Sequence, residues 1–92
     1  MNYSIELTYE ATSDLEKHRK SGDKKVLVKI DTLLNELRAH PLTGTGKPEK
    51  LKHYEIPTWS RKITDKHRLI YRVYDEKVVV VVLASWGHYH DK

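Results

Sequence analysis

An uninterrupted apolar run near the end of the chain constrains the fold more than any other feature. Five valines at positions 78–82 are followed by Leu83 and Ala84. A valine-rich run of this length is typical of a buried strand. The residues that come after it are therefore expected where a rigid element meets solvent.

The segment after this run combines histidine with aromatic side chains. His88 and His90 flank Tyr89, and Trp86 precedes them. The unperturbed pKa of imidazole is about 6.5, which suits proton transfer near neutral pH. A titratable group anchored at the end of a rigid strand is a good candidate for chemistry, so His88 becomes a candidate catalytic residue.

Length and composition exclude several classes of protein. Ninety-two residues predict one domain, residues 1–92. The chain has no cysteine, which excludes disulfides, thiolate catalysis and zinc–thiolate sites. Its start lacks the pattern of a signal peptide, and no apolar stretch approaches the roughly 20 residues that span a bilayer. We therefore expect a cytoplasmic protein that does not bind membranes.

Positive charge is concentrated in the second half of the chain. Residues 1–43 carry 7 basic and 7 acidic side chains, whereas residues 44–92 carry 10 basic and 6 acidic ones. This asymmetry favours a polyanionic partner for one face of the protein. A lysine-rich surface that serves only solubility is the alternative.

The residue pattern predicts an α+β fold with a strand, two antiparallel helices and a four-strand antiparallel meander. Thr8 and Asp23 are expected to cap the helices, and Pro41 to end the second one. The predicted strands cover residues 2–7, 49–54, 59–64, 67–74 and 77–84, and the helices reach about residue 20 and residue 40. Short connections make the later strands antiparallel neighbours, with both helices on one face of the sheet.

Strand alternation sorts the polar residues between the two faces of the meander. Leu69, Tyr71 and Val73 are expected under the helices, with Trp59 and Ile63 on the same side. The helix-free face is expected to carry Ser60, Lys62, Arg68, Ile70 and Arg72, with Glu49, Lys52, His88 and Tyr89 at its rim. These residues predict a concave basic surface that includes a carboxylate, an imidazole and a phenol.

This set of side chains suits cleavage of an RNA phosphodiester without a metal or other cofactor. Glu49 is the candidate general base for the ribose 2′-OH, and His88 the candidate general acid for the leaving 5′-oxygen. Arg68 presents a planar fork of donors that matches phosphate oxygens in the transition state. Tyr89, Tyr54 and Trp86 are the candidates to stack on an unpaired base.

Each of these residues has a simpler interpretation. Glu49 is also consistent with a solvated strand carboxylate, and His88 with an unstructured chain end. Arg68 is also consistent with a surface ion pair to Asp65 or Asp75, worth less than about 1 kcal/mol. The segment Gly44–Lys47 lacks the spacing of a phosphate-binding loop and is predicted to be a turn.

Three blocks of this sequence resemble the YoeB/Txe toxins, within the RelE-like group of bacterial toxin–antitoxin systems. The blocks are residues 44–53 (GTGKPEKLKH), 59–71 (WSRKITDKHRLIY) and 87–89 (GHY). They occur in the family's order at suitable distances, and the helical first half fits as well. The resemblance therefore covers nearly the whole chain and implies a small microbial-RNase-like α+β domain.

The resemblance also implies an activity: cleavage of mRNA in the ribosomal A site, with the help of the ribosome. The motif residues of the family correspond to Glu49, Lys52, Arg68, His88 and Tyr89. The roles that the resemblance implies, a general base, a phosphate-binding arginine and a general acid, agree with those given above. The chain departs from the family pattern in two places. It continues beyond the His-Tyr pair, so that His90 competes for the acid role, and it has Lys62 where a second arginine is common, which keeps the charge but loses the bidentate fork.

The resemblance further implies how such a nuclease is controlled. Family members are neutralised by a YefM/Axe-like antitoxin with an acidic, partly disordered tail, and the basic second half of this chain suits such a partner. The toxins also form homodimers, and the complexes bind operator DNA through the antitoxin. Two alternatives remain: a non-catalytic module that binds RNA or the ribosome, and an inactive toxin-like corepressor.

Overall fold

Two helices cover one face of a five-stranded sheet in the computed structural model, which describes residues 2–77 and 79–87. In chain order the elements are β1 (Ser4–Leu7), α1 (Tyr9–Ser21), α2 (Lys24–Ala39), β2 (Glu49–Lys50), β3 (Thr58–Lys62), β4 (Arg68–Tyr74) and β5 (Val79–Ala84). The strand order is β1-β5-β4-β3-β2; β1 pairs with β5 in parallel and the other pairs are antiparallel. The predicted α+β class and the order of its elements are confirmed.

Local capping explains where the helices begin and end. The side chain of Thr8 accepts a hydrogen bond from the backbone of Ala11, and that of Asp23 accepts from the first turn of α2. Gly22 ends α1 in the left-handed conformation, with φ of 74°. The predicted caps are therefore confirmed. Neither helix, along residues 2–77 and 79–87, has the length and apolar character needed to cross a membrane.

The main core lies between α2 and the sheet. Leu33 and Leu37 of α2 are fully buried and pack in the same cluster as Leu69 and Tyr71 of β4. The side chains that complete it include Ala11, Val26, Ile30, Ile63, Val80 and Val82, with Trp59 and Val73 partly buried against it. The side chains predicted to lie under the helices are thus found there.

A second, smaller core lies on the helix-free face, and it corrects the predicted strand at 49–54. β2 stops at Lys50, and the chain then turns away, with His53 at a positive φ of 64°. The following loop brings Leu51 and Tyr54 against Ile70 and Ala84. This face of the sheet is therefore partly covered rather than open.

A bulge near the end of β5 changes which side chains face this smaller core. Tyr71 of β4 pairs with Val82, whereas Ile70 pairs with Ala84, so Leu83 has no cross-strand partner of its own. Without the extra residue, Val82 and Ala84 would share a face. The bulge instead leaves Val82 under the helices and turns Ala84 toward the helix-free face.

Candidate active site

The register of the meander brings three predicted site residues onto the helix-free face. Lys62 on β3 pairs directly with Arg68 on β4, and Glu49 on β2 pairs with Ser60 on β3. Directly paired residues of an antiparallel sheet project to the same side. Since Ser60 and Lys62 alternate with Arg61 along β3, Glu49, Lys62 and Arg68 share one surface.

The guanidinium of Arg68 reaches diagonally toward the β3 strand. Its Nη1 lies 3.5 Å from the hydroxyl of Ser60, which is the long limit of a hydrogen bond. Ser60 was predicted to face outward; it is on this face but wholly buried, because the loop after β2 covers it. Arg68 itself is half-buried, so its fork lies at the boundary between this small core and solvent.

Arg72 lies on the same face as predicted, at some distance from Arg68. It is four residues from Arg68 on one strand, which corresponds to about 13 Å. Its Nε donates to the hydroxyl of Thr58 at 3.2 Å. The structure therefore groups Arg68 with Glu49 and Lys62, and leaves Arg72 at the far end of this surface.

The surface ion pair considered for Arg68 is made by a neighbouring lysine instead. Lys62 Nζ lies 2.7 Å from Asp65 Oδ1, and both side chains are exposed. Asp75 accepts a hydrogen bond from the phenol of Tyr3 at 2.6 Å, and this contact raises the pKa of Tyr3. An exposed pair such as Lys62–Asp65 is easily exchanged for a phosphate contact.

The remaining predicted site residues lie in the loop after β2 or outside the described residues. Lys52 is exposed in the loop that follows β2. His88, Tyr89 and His90 lie outside the described residues. Gly87, the last described residue, accepts a hydrogen bond from the backbone N–H of Arg68 at 3.0 Å. The described chain therefore ends beside the arginine of the site.

A buried arginine that sequence reasoning missed lies directly behind this surface. The side chain of Arg61 is fully buried, donates to the phenol oxygen of Tyr71 at 3.2 Å and pairs with Glu36 at 3.0 Å. Further hydrogen bonds go to the carbonyl oxygens of His40, Thr43 and Thr45, at 2.8, 2.7 and 3.4 Å. Arg61 thus ties α2 and the sheet to the loop that leads into β2.

The electrostatics of this cluster explain how the loop before Glu49 is held. Hydrogen bonds from Thr45, reinforced by the Arg61 guanidinium and opposed by burial, keep the pKa of Glu36 below its usual value. Burial raises the pKa of Tyr71, which donates its proton to the carbonyl of Pro41 at 2.7 Å. The cluster positions the loop, and through it the entry to β2.

Gly46 shows how closely this loop packs on β3. It has a φ of 84°, and its carbonyl accepts from the N–H of Lys62 at 2.7 Å. A Cβ at this position would lie 2.9 Å from the Lys62 carbonyl oxygen. The glycine-containing segment is a turn, as predicted, and Gly46 permits close approach to the strand that carries Lys62.

A second buried polar group, also missed from sequence, lies on α1. Asp14 and His18 are nearly inaccessible, with 4% and 1% exposure, and they share the buried face of α1 with Ala11. Asp14 accepts hydrogen bonds from the backbone of Ser85 and Trp86, just after β5. Its spacing of three residues from Ala11 was the signal that could have indicated a buried position.

This surface combines the carboxylate of Glu49, the guanidinium of Arg68 and the amine of Lys62 beside the smaller core of the helix-free face. Such a set can bind a phosphodiester and take part in acid–base transfer on it. Within residues 2–77 and 79–87, no three metal-ligating side chains converge on one point.

Comparison with known proteins places these features in a family. A model of the YoeB-like toxin of bacterial type II toxin–antitoxin systems matches residues 7–89. The toxin YoeB of Escherichia coli K12 is 45% identical over 67 residues, which are 73% of this chain and 77% of that protein. The toxin YoeB of Streptomyces coelicolor is 41% identical over 64 residues, which are 70% of this chain and 76% of that protein.

Solved structures agree with these sequence matches. A YoeB/ParE toxin from Agrobacterium tumefaciens superposes with a TM-score of 0.85 at 32% identity, covering 94% of this chain and 99% of that one. The YoeB dimer of Staphylococcus aureus gives 0.79 at 36% identity, covering 97% and 100%. In family, fold and arrangement of strands, this chain belongs to the YoeB-like toxins of bacterial type II toxin–antitoxin systems.

Proposed function

We propose that this chain is a ribosome-dependent mRNA endoribonuclease that cleaves mRNA in the ribosomal A site and so inhibits translation. The observation that carries the proposal is the cross-strand register that sets Glu49 and Arg68 on one basic surface. Membership of a toxin family supports it, because RNA cleavage at the ribosome would account for toxicity.

The proposed reaction is an intramolecular transesterification that needs no metal. Glu49 removes the proton of a ribose 2′-OH, and the 2′-oxygen attacks the adjacent phosphorus. The bond from phosphorus to the 5′-oxygen breaks, and His88 protonates that leaving oxygen. The products are a 2′,3′-cyclic phosphate and a free 5′-hydroxyl, and each proton-transfer group contributes about 10²–10⁴-fold to the rate.

Arg68 has the role of stabilising the transition state. Its position at the edge of the small core, with Ser60 near one Nη, supports a fixed orientation of the fork. A guanidinium that is partly desolvated interacts more strongly with the charge that develops on phosphorus than a fully solvated one does. Lys52, Lys62, Arg72 and Tyr89 would bind the flanking RNA.

The ribosome would complete a site that is incomplete in the free protein. Glu49, Lys52 and Lys62 are all exposed, so they hold a single-stranded RNA only through screened contacts. Positioning of the mRNA by the ribosome would supply the near-attack geometry that so small a surface does not enforce. Cleavage of naked RNA at a comparable rate would contradict this part of the proposal.

The partners of this toxin follow from its relatives. The Staphylococcus aureus YoeB, 36% identical to this chain, has been solved as a dimer and as a heterotetrameric YoeB–YefM complex. We propose that this chain likewise forms a homodimer and is neutralised in the cytoplasm by a YefM-like antitoxin. The basic second half of the chain suits an acidic antitoxin segment, and operator DNA would be bound through the antitoxin.

Mapping of mRNA 5′ ends after brief induction in a bacterial host tests the proposed function. Wild type should produce discrete cuts within translated codons, whereas Glu49→Gln and His88→Gln should produce none while still binding ribosomes. Glu55→Gln is the matched control for the carboxylate, because Glu55 is exposed on the loop after β2. His90→Gln tests whether the second histidine shares the acid role.

The same experiment separates the alternatives. Growth arrest without new 5′ ends in any strain would indicate translation blocked by binding alone. Neither arrest nor cuts in the wild type would favour a corepressor that acts only with its antitoxin. Cuts that persist in both Glu49→Gln and His88→Gln would refute the acid–base assignment.

A further inference from the structure

Side chains bind the backbone N–H groups of the segment that connects β5 to the proposed general acid. Oδ2 of Asp14 accepts from the N–H groups of Ser85 at 3.0 Å and Trp86 at 3.3 Å. Nδ1 of His67 accepts from the N–H of Gly87 at 2.9 Å. Three successive backbone donors are therefore bound by only two side chains.

The hydrogen bond from Gly87 defines the protonation state of His67. A backbone N–H only donates, so Nδ1 of the ring must be unprotonated and accept. The neutral ring then carries its proton on Nε2, whereas an imidazolium has no acceptor to offer. This contact exists only in one tautomer of the neutral side chain.

Aromatic packing fixes the plane of this imidazole. The His67 ring lies 4.9 Å from the His18 ring in an edge-on arrangement and 4.4 Å from the Trp86 ring. His18 is buried and its Nε2 donates to the carbonyl of Ser85 at 2.9 Å, which fixes its own ring as well. Nδ1 of His67 is thus aimed at Gly87 by two neighbouring rings.

Two consecutive residues, His67 and Arg68, bind the backbone of Gly87. Its N–H donates to the side chain of His67, and its carbonyl accepts from the backbone of Arg68 at 3.0 Å. Its φ of 84° is in the left-handed region, which favours glycine. The peptide from which the chain continues to His88 is therefore fixed next to the proposed phosphate-binding arginine.

We propose that His67 is a positioning residue for the cleavage reaction. Its neutral imidazole holds Gly87 beside Arg68 and so sets where the chain leaves the sheet toward the proposed general acid. The inference rests on the proposed function, since Gly87 immediately precedes the proposed general acid in the sequence. His67 itself does not touch the reacting atoms in this scheme.

Two substitutions separate the acceptor of His67 from its ring. His67→Phe keeps an aromatic ring against Trp86 but removes the acceptor for Gly87. His67→Asn loses the ring but offers a side-chain carbonyl oxygen close to the position of Nδ1. We expect His67→Phe to lower the single-turnover rate of mRNA cleavage on programmed ribosomes by up to about 10²-fold, as a misplaced catalytic group does.

The conservative variant and the binding constant distinguish positioning from mere stability. His67→Asn should recover most of the rate lost in His67→Phe, and the affinity of both variants for ribosomes should stay within about twofold of wild type. Thermal unfolding of each variant checks that it is folded at the assay temperature. Exchange of the Gly87 amide hydrogen should be faster in His67→Phe than in wild type or His67→Asn.

Each outcome decides the question. If the wild type cleaves mRNA and His67→Phe cleaves it equally fast, the positioning role is refuted and the proposed function stands. If both variants are folded and equally slow, the positioning role is also refuted, because the acceptor for the Gly87 N–H would then not affect the rate. A wild type that cuts no mRNA on the ribosome would overturn the proposed function first, and this role with it.

Discussion

Arg61 and Arg68 belong to neighbouring cross-strand pairs but differ in role: the first supports the fold, and the second is available to a ligand. Arg61 pairs with Leu69 and Arg68 with Lys62, so the two side chains project to opposite faces of the sheet. Arg61 is fully buried and donates to a carboxylate, a phenol and several carbonyls, whereas Arg68 is half-buried with a 3.5 Å contact to Ser60. A guanidinium whose donors are used internally supports the fold, and one that lies at the surface can serve a ligand.

The physical basis of this difference is the cost of desolvating a charge. A buried guanidinium is stable only when its N–H groups are all bound and an opposite charge lies nearby. Trp59 and Ile63 lie two residues before and two residues after Arg61, and both pack in the main core. Strand alternation therefore directs Arg61 toward the core as well. Arg68 occupies a face that is only partly covered, so its charge retains contact with solvent.

The largest expected effect is on stability, at the buried arginine. Arg61→Met would remove the charge that faces Glu36 and leave several carbonyl oxygens without donors, at a cost of about 3–5 kcal/mol. Urea denaturation measures the free energy of unfolding. Arg19→Met is the matched control, because Arg19 pairs with Glu16 on the surface and should contribute less than about 1 kcal/mol. Equal losses in both variants would contradict the comparison.

The next effect is on the proposed catalysis, at the half-buried arginine. Arg68→Ala should lower the rate of mRNA cleavage about 10²–10³-fold, the usual consequence of losing one transition-state donor. Its free energy of unfolding should change by less than about 1 kcal/mol, the reverse of Arg61→Met. Arg72→Ala is the control on the same strand face and should slow cleavage far less. Similar rates for both variants would show that Arg68 has no special role.

A smaller effect concerns the pH dependence of stability at Glu36. Because its pKa is lowered in the folded state, the group stabilises the fold above its unfolded pKa of about 4.3. That contribution is lost as the pH falls through the lower folded pKa. Glu36→Gln should therefore reduce the slope of stability against pH below about 5, measured by denaturation.

The control for this pH effect is an exposed carboxylate elsewhere. Glu6 lies on β1, is exposed, and should leave the slope unchanged when it is replaced in Glu6→Gln. A slope that is the same in Glu36→Gln as in wild type would show that the Arg61 cluster does not depend on the Glu36 charge.

The smallest effect is expected at Lys62, which lies on the same face as Arg68. Lys62→Ala would remove an exposed ion pair with Asp65 worth less than about 1 kcal/mol. Cleavage should slow by a few-fold at low salt, and the difference should shrink as the ionic strength rises. A rate difference that is independent of salt would indicate a more specific role for this lysine.

Sequence reasoning predicted the parts of the molecule that depend on local chemistry. The caps at Thr8 and Asp23, the order of helices and strands and the sides of the β4 residues all follow from short-range rules. The same alternation put Lys62 and Arg68 on one face, with Glu49 expected at its rim. The predicted end of the strand at 49–54 was wrong: β2 stops at Lys50, and the backbone has a positive φ of 64° at His53.

The buried polar residues were not predictable in the same way. Aspartate and arginine are mostly exposed in proteins and histidine is intermediate, so a pattern of apolar positions does not assign Asp14, His18 or Arg61 to the core. Each is buried because partners distant in the chain satisfy it, such as the backbone of Ser85 for Asp14. Such pairings extend over as many as 72 positions, so the residues near each buried group in the sequence do not identify its partner.

By itself, the sequence determined the α+β class, the family resemblance and the set of chemical groups at the site, because these depend on residue type and short spacing. The tertiary structure alone decided the parallel pairing of β1 with β5, the bulge at Leu83 and the burial of Arg61. It also decided that Asp14 and His67 accept hydrogen bonds from the backbone of the segment after β5. Whether a polar group is buried depends on which partners the whole fold brings to it.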